Sequence, residues 1–189
     1  MQVKFSIVTV TFNAKKELLK TIESIQSQSY KKFIHIIKDG ESTDRTNEID
    51  FLNLDNTEFY SSKDNGVYDA MNQATKYAKN EFIIYLNAGD FFYSNNTLKK
   101  LSKKIEDNPE YLSYCGGTMC IDPSTKKINR IIGLGNLYRY LPLSQLPHPS
   151  FVIRKSVLMD FKYPFDPNLK IASDYKQQLI LRKNNLWKV

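Results

Sequence analysis

FIIYLNAGD, residues 82–90, sets five apolar residues against a single acid. Phe82 to Leu86 is apolar throughout and short, which predicts a strand buried on both faces. It runs into Asn87, Ala88 and Gly89 and then Asp90. A carboxylate at the C-terminal lip of a buried strand is placed to hold a divalent cation, because ligands of open α/β sheets collect at that edge. The same residues also read as an ordinary strand followed by a turn, with Asn, Gly and Asp supplying turn chemistry. The choice between the two depends on the rest of the chain.

Upstream, Phe5 to Val10 (FSIVTV) is rich in β-branched residues and predicts a first buried strand. Asn13 is expected to cap a helix over 14–27, whose Leu18, Leu19, Ile22 and Ile25 share one face. Phe33 to Ile37 (FIHII) predicts a second strand ending in Lys38-Asp39-Gly40. His35 within it reads as structural. Ser42, Thr43 and Asp44 offer caps for a short helix toward Asp50, and Glu58 to Ser61 predicts a third strand. Asp64-Asn65-Gly66 opens a helix from Val67 to Ala78, and Thr97 to Glu106 reads as a Lys-rich amphipathic helix. This alternation predicts an α/β fold, a mostly parallel sheet with helices on both faces.

Beyond residue 110 the pattern changes. Tyr111 to Ile121 and Lys127 to Ile132 read as strands around a turn at Asp122-Pro123. Pro142, Pro147 and Pro149 mark an irregular segment. A short strand is expected over Phe151 to Ile153, a short helix over Lys155 to Phe161 and a last helix over Ser173 to Lys183. The chain stops on Leu186-Trp187-Lys188-Val189, and this apolar end predicts a natural protein that continues.

Bulk properties narrow the function. With 189 residues and 41% hydrophobic content, the chain is expected to form one domain with a real core. The 27 Lys and Arg against 20 acids give a net charge of +7, which favours anionic partners. The basic residues are dispersed and no aromatic-basic module accompanies them, so nucleic acid is not the expected partner. Cys115 and Cys120 lack the His or Cys companions of a zinc site and read as packed thiols of a reducing compartment. The N-terminal apolar run lacks a signal-peptide cleavage pattern, and no stretch reaches the ~20 apolar residues of a membrane span. The expected location is the cytoplasm, at the inner face of the membrane.

In a doubly wound sheet the strand ends share one crevice. Thr9, Thr11, Phe12 and Asn13 leave the first strand, Asp39 and Gly40 the second, Asp64, Asn65 and Gly66 the third, and Asp90 the fourth. A hydroxyl, an amide and three carboxylates suit a ribonucleotide. Asp39 can accept a hydrogen bond from a uracil N–H, and Gly40 lets the backbone approach closely. Thr9 can bind base or ribose. Asp90 can ligate Mg²⁺ or Mn²⁺ against phosphates. No GxxxxGK[ST] or GxGxxG cradle is present, so the metal and basic residues must neutralise a pyrophosphate.

The segments SIVTVTFN (6–13), DGESTD (39–44), DNGVYDAMN (64–72) and YLNAGD (85–90) resemble, in order and spacing, the family 2 glycosyltransferases of the GT-A fold, bacterial builders of surface polysaccharides among them. HPSFVIRKSVL (148–158) and IASDYKQQLILR (171–182) extend the likeness more loosely. The resemblance implies a nucleotide-diphospho-sugar transferase with a nucleotide-sugar-binding half over 1–90 and an acceptor-side half over 91–189, truncated at its C-terminus. Thr9, Phe12, Asn13, Asp39, Gly40, Asp64, Gly66 and Asn87 would form the donor site. Asp90 would be the metal ligand for Mn²⁺ or Mg²⁺, and Asp174 the general base, though Asp174 also reads as a first-turn acid stabilising a helix dipole. His148 is either an acceptor-side contact or a plain loop histidine. The implied reaction moves a sugar from a nucleotide-sugar, UDP-linked by expectation, to a glycan or lipid-linked saccharide with inversion. Relatives often carry Asp where Asn87 and Gly89 stand, which implies weaker metal binding here. An inactive nucleotide-sugar-binding module is the alternative. A sugar-phosphate nucleotidyltransferase is disfavoured, because TFNAKKE (11–17) stands where its Gly-rich basic loop would be.

Overall fold

The computed structural model describes residues 2–122, 124–132 and 146–184. The elements are β1 (Phe5–Thr11), α1 (Lys15–Gln26), β2 (Phe33–Asp39), β3 (Thr57–Ser61), α2 (Val67–Thr75), β4 (Phe82–Tyr85), α3 (Thr97–Asp107), β5 (Ser113–Cys115), β6 (Thr118–Ile121), β7 (Ile128–Ile132), β8 (Phe151–Arg154), α4 (Lys155–Met159) and α5 (Ser173–Lys183). Six strands form one sheet in the order β3-β2-β1-β4-β8-β5. β3, β2, β1 and β4 run parallel, and β8 lies antiparallel between β4 and β5. The mostly parallel sheet expected from the sequence is therefore present.

Helices cover both faces, which is why the central strands are buried on both sides without alternation. Every residue of β1 is buried. On one face Ile25 of α1 and Leu98 and Ile105 of α3 pack against Phe5, Ile7, Phe82 and Ile84. On the other, Ala70, Met71 and Ala74 of α2, Val157 of α4 and Leu181 of α5 meet Val8, Val10, Ile36, Ile83 and Tyr85. The order of the strands reverses direction at β1: the chain moves out to β2 and β3, then returns to place β4 on the other side. That reversal leaves a crevice at the C-terminal ends of β1 and β4.

Several local expectations change. Asn13 does not cap α1. It adopts a left-handed conformation with φ 49°, and its amide oxygen accepts the Thr43 N–H at 2.8 Å. The Asp44 carboxylate takes the first free N–H of the helix, that of Lys15, at 2.7 Å. The short helix expected toward Asp50 is two single 3₁₀ turns, Thr46–Glu48 and Phe51–Asn53. α2 stops at Thr75, its end tightened by i→i−3 bonds from Lys76, Tyr77 and Ala78. The strand expected over Tyr111 to Ile121 breaks at Gly116-Gly117. β5 joins the main sheet, while β6 pairs with β7 in a separate two-stranded ribbon. Pro123, Pro142 and the terminal Leu186 to Val189 lie outside the described residues. No helix among the described residues is long and apolar enough to cross a membrane.

His35 shows how tightly the sheet interior is built. The Thr9 hydroxyl donates to the Leu86 carbonyl at 2.8 Å and accepts from His35 Nε2 at 2.9 Å. This pattern assigns the proton to Nε2 and leaves the buried Nδ1 bare, with no partner. Burial pulls the ring down to about 3, and burial pulls His148 down to about 4 against the nearby Asp174 charge. A histidine whose folded value is depressed binds its proton in the unfolded chain first, so stability falls as pH drops below the ordinary value of 6.5. From pH 7 to pH 5, His35 is expected to cost about 2 kcal/mol of stability. Urea unfolding at the two pH values checks this, and a His35→Asn variant is expected to lose less over the same interval.

Candidate active site

A cavity of about 640 Å³ occupies the crevice at the ends of β1 and β4. Thr11 and Phe12 wall it from β1, Gly40 and Glu41 from beyond β2, Lys63, Asp64 and Gly66 from beyond β3, and Asn87 and Ala88 from beyond β4. The ladder explains the convergence. Thr11 pairs with Asp39 and Asp39 with Ser61, so the three lips end level. The segment after β4 stays beside β1, with the Leu86 and Ala88 N–H groups bonded to the Val8 and Val10 carbonyls.

Five of the eight expected donor residues line this cavity: Phe12, Gly40, Asp64, Gly66 and Asn87. Thr9 does not. Thr9 sits inside the sheet, its hydroxyl engaged by His35 and Leu86, and β1 runs one residue further than expected, to Thr11. Thr11 takes the wall position instead. Its hydroxyl and the Asn87 Oδ1 are buried with no partner among the described residues, and both residues line the cavity. Buried polar atoms are nearly always hydrogen-bonded, so these two on one wall offer hydrogen-bonding positions to water or to a ligand in the cavity.

Asp39 lies just beneath, 1% exposed. Its Oδ2 accepts from Ser42 N–H at 3.0 Å and Ser61 Oγ at 2.8 Å, and its Oδ1 from Ser42 Oγ at 2.5 Å. A base N–H reaching Asp39 must share the carboxylate with these donors. The Ser42 hydroxyl in turn accepts the Asn13 N–H at 2.8 Å. Asn13 thus shapes the loop around Asp39 and does not line the cavity.

Lys38 is a site residue that the sequence reading missed. It is 1% exposed, and its ammonium donates to the carbonyls of Asp39 at 2.9 Å and Ser62 at 2.6 Å and to Asp64 Oδ2 at 3.1 Å. The other Asp64 oxygen accepts the Gly66 N–H at 3.1 Å, opening α2 at the cavity edge. A lysine interrupting the apolar run FIHIIKD was the available signal. The fixed carboxylate explains Gly40: a Cβ there would lie 2.8 Å from Asp64 Oδ2 and 3.2 Å from the Phe12 ring. Asp64 is pinned and cannot retreat, so Gly40→Ala is expected to cost about 1–3 kcal/mol by overpacking. A shift in the urea midpoint at unchanged m-value checks it.

Asp90 is half-buried just past the cavity rim. Burial pushes its carboxyl up, partly opposed by the Asn87 backbone. Among the described residues no group of three or more His, Cys, Asp or Glu side chains is placed to hold a metal ion. The oxygen donors at hand are the Asp90 carboxylate and the orphaned Asn87 amide oxygen. That set fits a hard cation of the Mg²⁺ or Mn²⁺ type that takes one or two protein ligands and completes its shell with substrate phosphates.

A second cluster stands behind α2. Asp174, in the first turn of α5, accepts a hydrogen bond from the Tyr68 hydroxyl at 3.0 Å. Tyr68 follows Val67, which lines the cavity, so α2 links the two sites. The His148 ring stacks on Tyr85 at 5.5 Å and meets Phe165 edge-on at 5.8 Å, with Nε2 buried and without a partner among the described residues. Two amide clamps fix this arrangement. Asn72 of α2 takes both backbone groups of Phe165, at 2.7 and 2.9 Å. Gln178, one turn after Asp174, takes both backbone groups of Leu146, at 2.8 and 3.0 Å. Tyr68, Asn72 and Gln178 were not expected, because their partners lie 32 to 106 residues away.

Comparison with known proteins fits this geometry. The family model for glycosyl transferase family 2 matches residues 6–163. A PGL/p-HBAD biosynthesis glycosyltransferase of Mycobacterium bovis is 33% identical over 117 residues, 58% of this chain and 45% of that protein. An uncharacterized glycosyltransferase of Rickettsia typhi is 27% identical over 186 residues, 90% of this chain and 56% of that protein. The chain thus spans about half the length of such relatives. Among solved structures, S. aureus TarS (1–349) in complex with UDP-GlcNAc superposes with a TM-score of 0.73 at 22% identity, covering 95% of this chain and 53% of that one. A mannosyltransferase of Pyrobaculum calidifontis in complex with GDP-Man and Mn²⁺ gives 0.68 at 16% identity, covering 94% and 51%.

Proposed function

The chain belongs to glycosyl transferase family 2 and has its GT-A fold, and we propose that it transfers a sugar from a nucleotide-sugar, a UDP-sugar first among them, to a hydroxyl of a glycan or lipid-linked saccharide in cell-surface polysaccharide biosynthesis. The observation that carries the reading is the cavity at the β1/β4 reversal, with Asp64 held rigid on one side and two orphaned polar atoms on the wall. The neighbour bound to UDP-GlcNAc supports UDP, and the +7 charge supports work beside an anionic membrane face.

In this reading the nucleoside diphosphate lies along the cavity, with the base near Phe12 and the Asp39 loop. Lys63 faces the diphosphate charge. Asp174 takes the proton of the acceptor hydroxyl as that oxygen bonds to the anomeric carbon, while the bond from that carbon to the diphosphate breaks. Attack opposite the leaving group inverts the configuration. Tyr68 orients the Asp174 carboxylate, and His148 borders the acceptor. Asp90 and Asn87 would hold the divalent cation, which when bound offsets negative charge growing on the departing diphosphate.

A second reading, a nucleotide-sugar-binding module without turnover, is favoured by one observation: Asp90 is the only carboxylate in the Asn87–Asp90 loop. Release of nucleoside diphosphate from UDP- and GDP-sugars, with and without Mn²⁺ and saccharide acceptors, separates the two. Metal-dependent consumption of one nucleotide-sugar, lost in Asp90→Ala, is the expected result. Tight nucleotide binding with no consumption across the panel selects the module.

A further inference from the structure

Helix α1 lies against the Asn87–Asp90 loop along the face carrying Glu17 and Thr21, one turn apart. The Thr21 side chain is fully buried. Its hydroxyl accepts the Gly89 N–H at 3.0 Å and donates to the Asp90 carbonyl at 2.8 Å, with the Asn87 carbonyl at 3.4 Å. One hydroxyl thus ties down three of the four loop residues.

Gly89 sits at φ +99°, a conformation that disfavours a side chain there. A Cβ built on it would lie 3.7 Å from Glu17 Cβ and 3.8 Å from Glu17 Cγ. The side chain of Glu17 therefore borders the space that an acid at position 89 would enter. Glu17 is exposed, and among the described residues its carboxylate has no hydrogen-bond or ion-pair partner. A first-turn acid also interacts favourably with the helix dipole. That effect alone does not account for the placement of Glu17 beside the space left at Gly89.

We propose that α1 completes the cation site: Glu17 supplies a second carboxylate in place of the side chain Gly89 lacks, and Thr21 fixes the loop that presents Asp90 and Asn87. The ligand is a divalent cation bridging a nucleoside diphosphate, so the inference rests on the donor-site reading above. Two carboxylates, an amide oxygen and phosphate oxygens would form the all-oxygen shell that Mn²⁺ or Mg²⁺ prefers. Glu17 would be a ligand and Thr21 a positioning residue.

The test reads Mn²⁺ binding by loss of the free-ion electron paramagnetic resonance signal, with UDP present, and UDP binding without metal by calorimetry. Glu17→Gln keeps the shape and removes the charge. It is expected to weaken UDP-dependent Mn²⁺ binding tenfold or more, about the loss that even an outer-shell change produces. Metal-free UDP affinity is expected to stay unchanged, and Glu23→Gln on the same helix to behave as the unsubstituted chain. Thr21→Val is expected to weaken Mn²⁺ binding about tenfold and Thr21→Ser to restore it. A Glu17→Gln chain that holds Mn²⁺ as tightly as the unsubstituted one overturns the proposal. If the unsubstituted chain binds UDP but takes up no Mn²⁺, the cation site and this proposal fall while the donor site stands. If it binds neither, the donor-site reading falls with them.

Discussion

Asp174→Asn is expected to leave nucleotide binding intact and to slow sugar transfer about 10²–10⁴-fold, the contribution of a well-placed general base. The substitution is conservative where geometry matters. An asparagine amide oxygen can still accept the Tyr68 hydroxyl, which lies 3.0 Å from Asp174 Oδ1. The neighbouring Gln178 clamp on Leu146 does not depend on the charge. What disappears is the ability to take a proton. Asp174 does not line the donor cavity, so UDP affinity is the internal control. A transfer rate within tenfold of the unsubstituted chain would show that another group removes the proton.

The largest effect on stability is expected at Lys38. Its ammonium is buried and relies on protein acceptors alone, while Asp64 opposite it is 11% exposed at the cavity wall. Replacing the lysine with methionine keeps much of the volume. It strands the Asp64 carboxylate and removes the donor shared by the Asp39 and Ser62 carbonyls. Breaking one side of a buried pair typically costs about 3–5 kcal/mol. Lys38→Met is expected to lower the urea midpoint accordingly. Lys38→Met combined with Asp64→Leu is expected to cost less than the two single changes summed, because the second removes the stranded charge. Strict additivity in that cycle would mean that the two side chains do not act as a pair.

The central strands were legible because parallel strands covered on both faces are apolar without alternation, and FSIVTV and FIIYL have that character. α5 was read to its observed limits, Ser173 to Lys183. The convergence of the strand ends was legible, and five of the eight residues proposed for the donor site line one cavity. Position within the lip was not. Thr9 lies within the strand as expected, but its hydroxyl is engaged by His35 and the Leu86 carbonyl, a pairing of distant segments that spacing does not reveal. Nor could spacing show that β8 would insert antiparallel beside β4, or that Asn72 would clamp Phe165, since these contacts join distant segments. Asn13 illustrates the limit of local rules: it has a good capping residue's chemistry, but Asp44 lies close enough in space to take the role.

The most direct test of the account is calorimetric titration of UDP, with and without Mn²⁺, against the unsubstituted chain and the Gly40→Ala variant. The expected result is one UDP per chain, bound more tightly with Mn²⁺ and more weakly by Gly40→Ala, because a methyl at residue 40 meets the fixed Asp64 carboxylate and crowds the Phe12 ring at the cavity wall. A folded chain that binds no UDP, or binds it equally well in both forms, would contradict the placement of the donor nucleotide between the ends of β1 and β4.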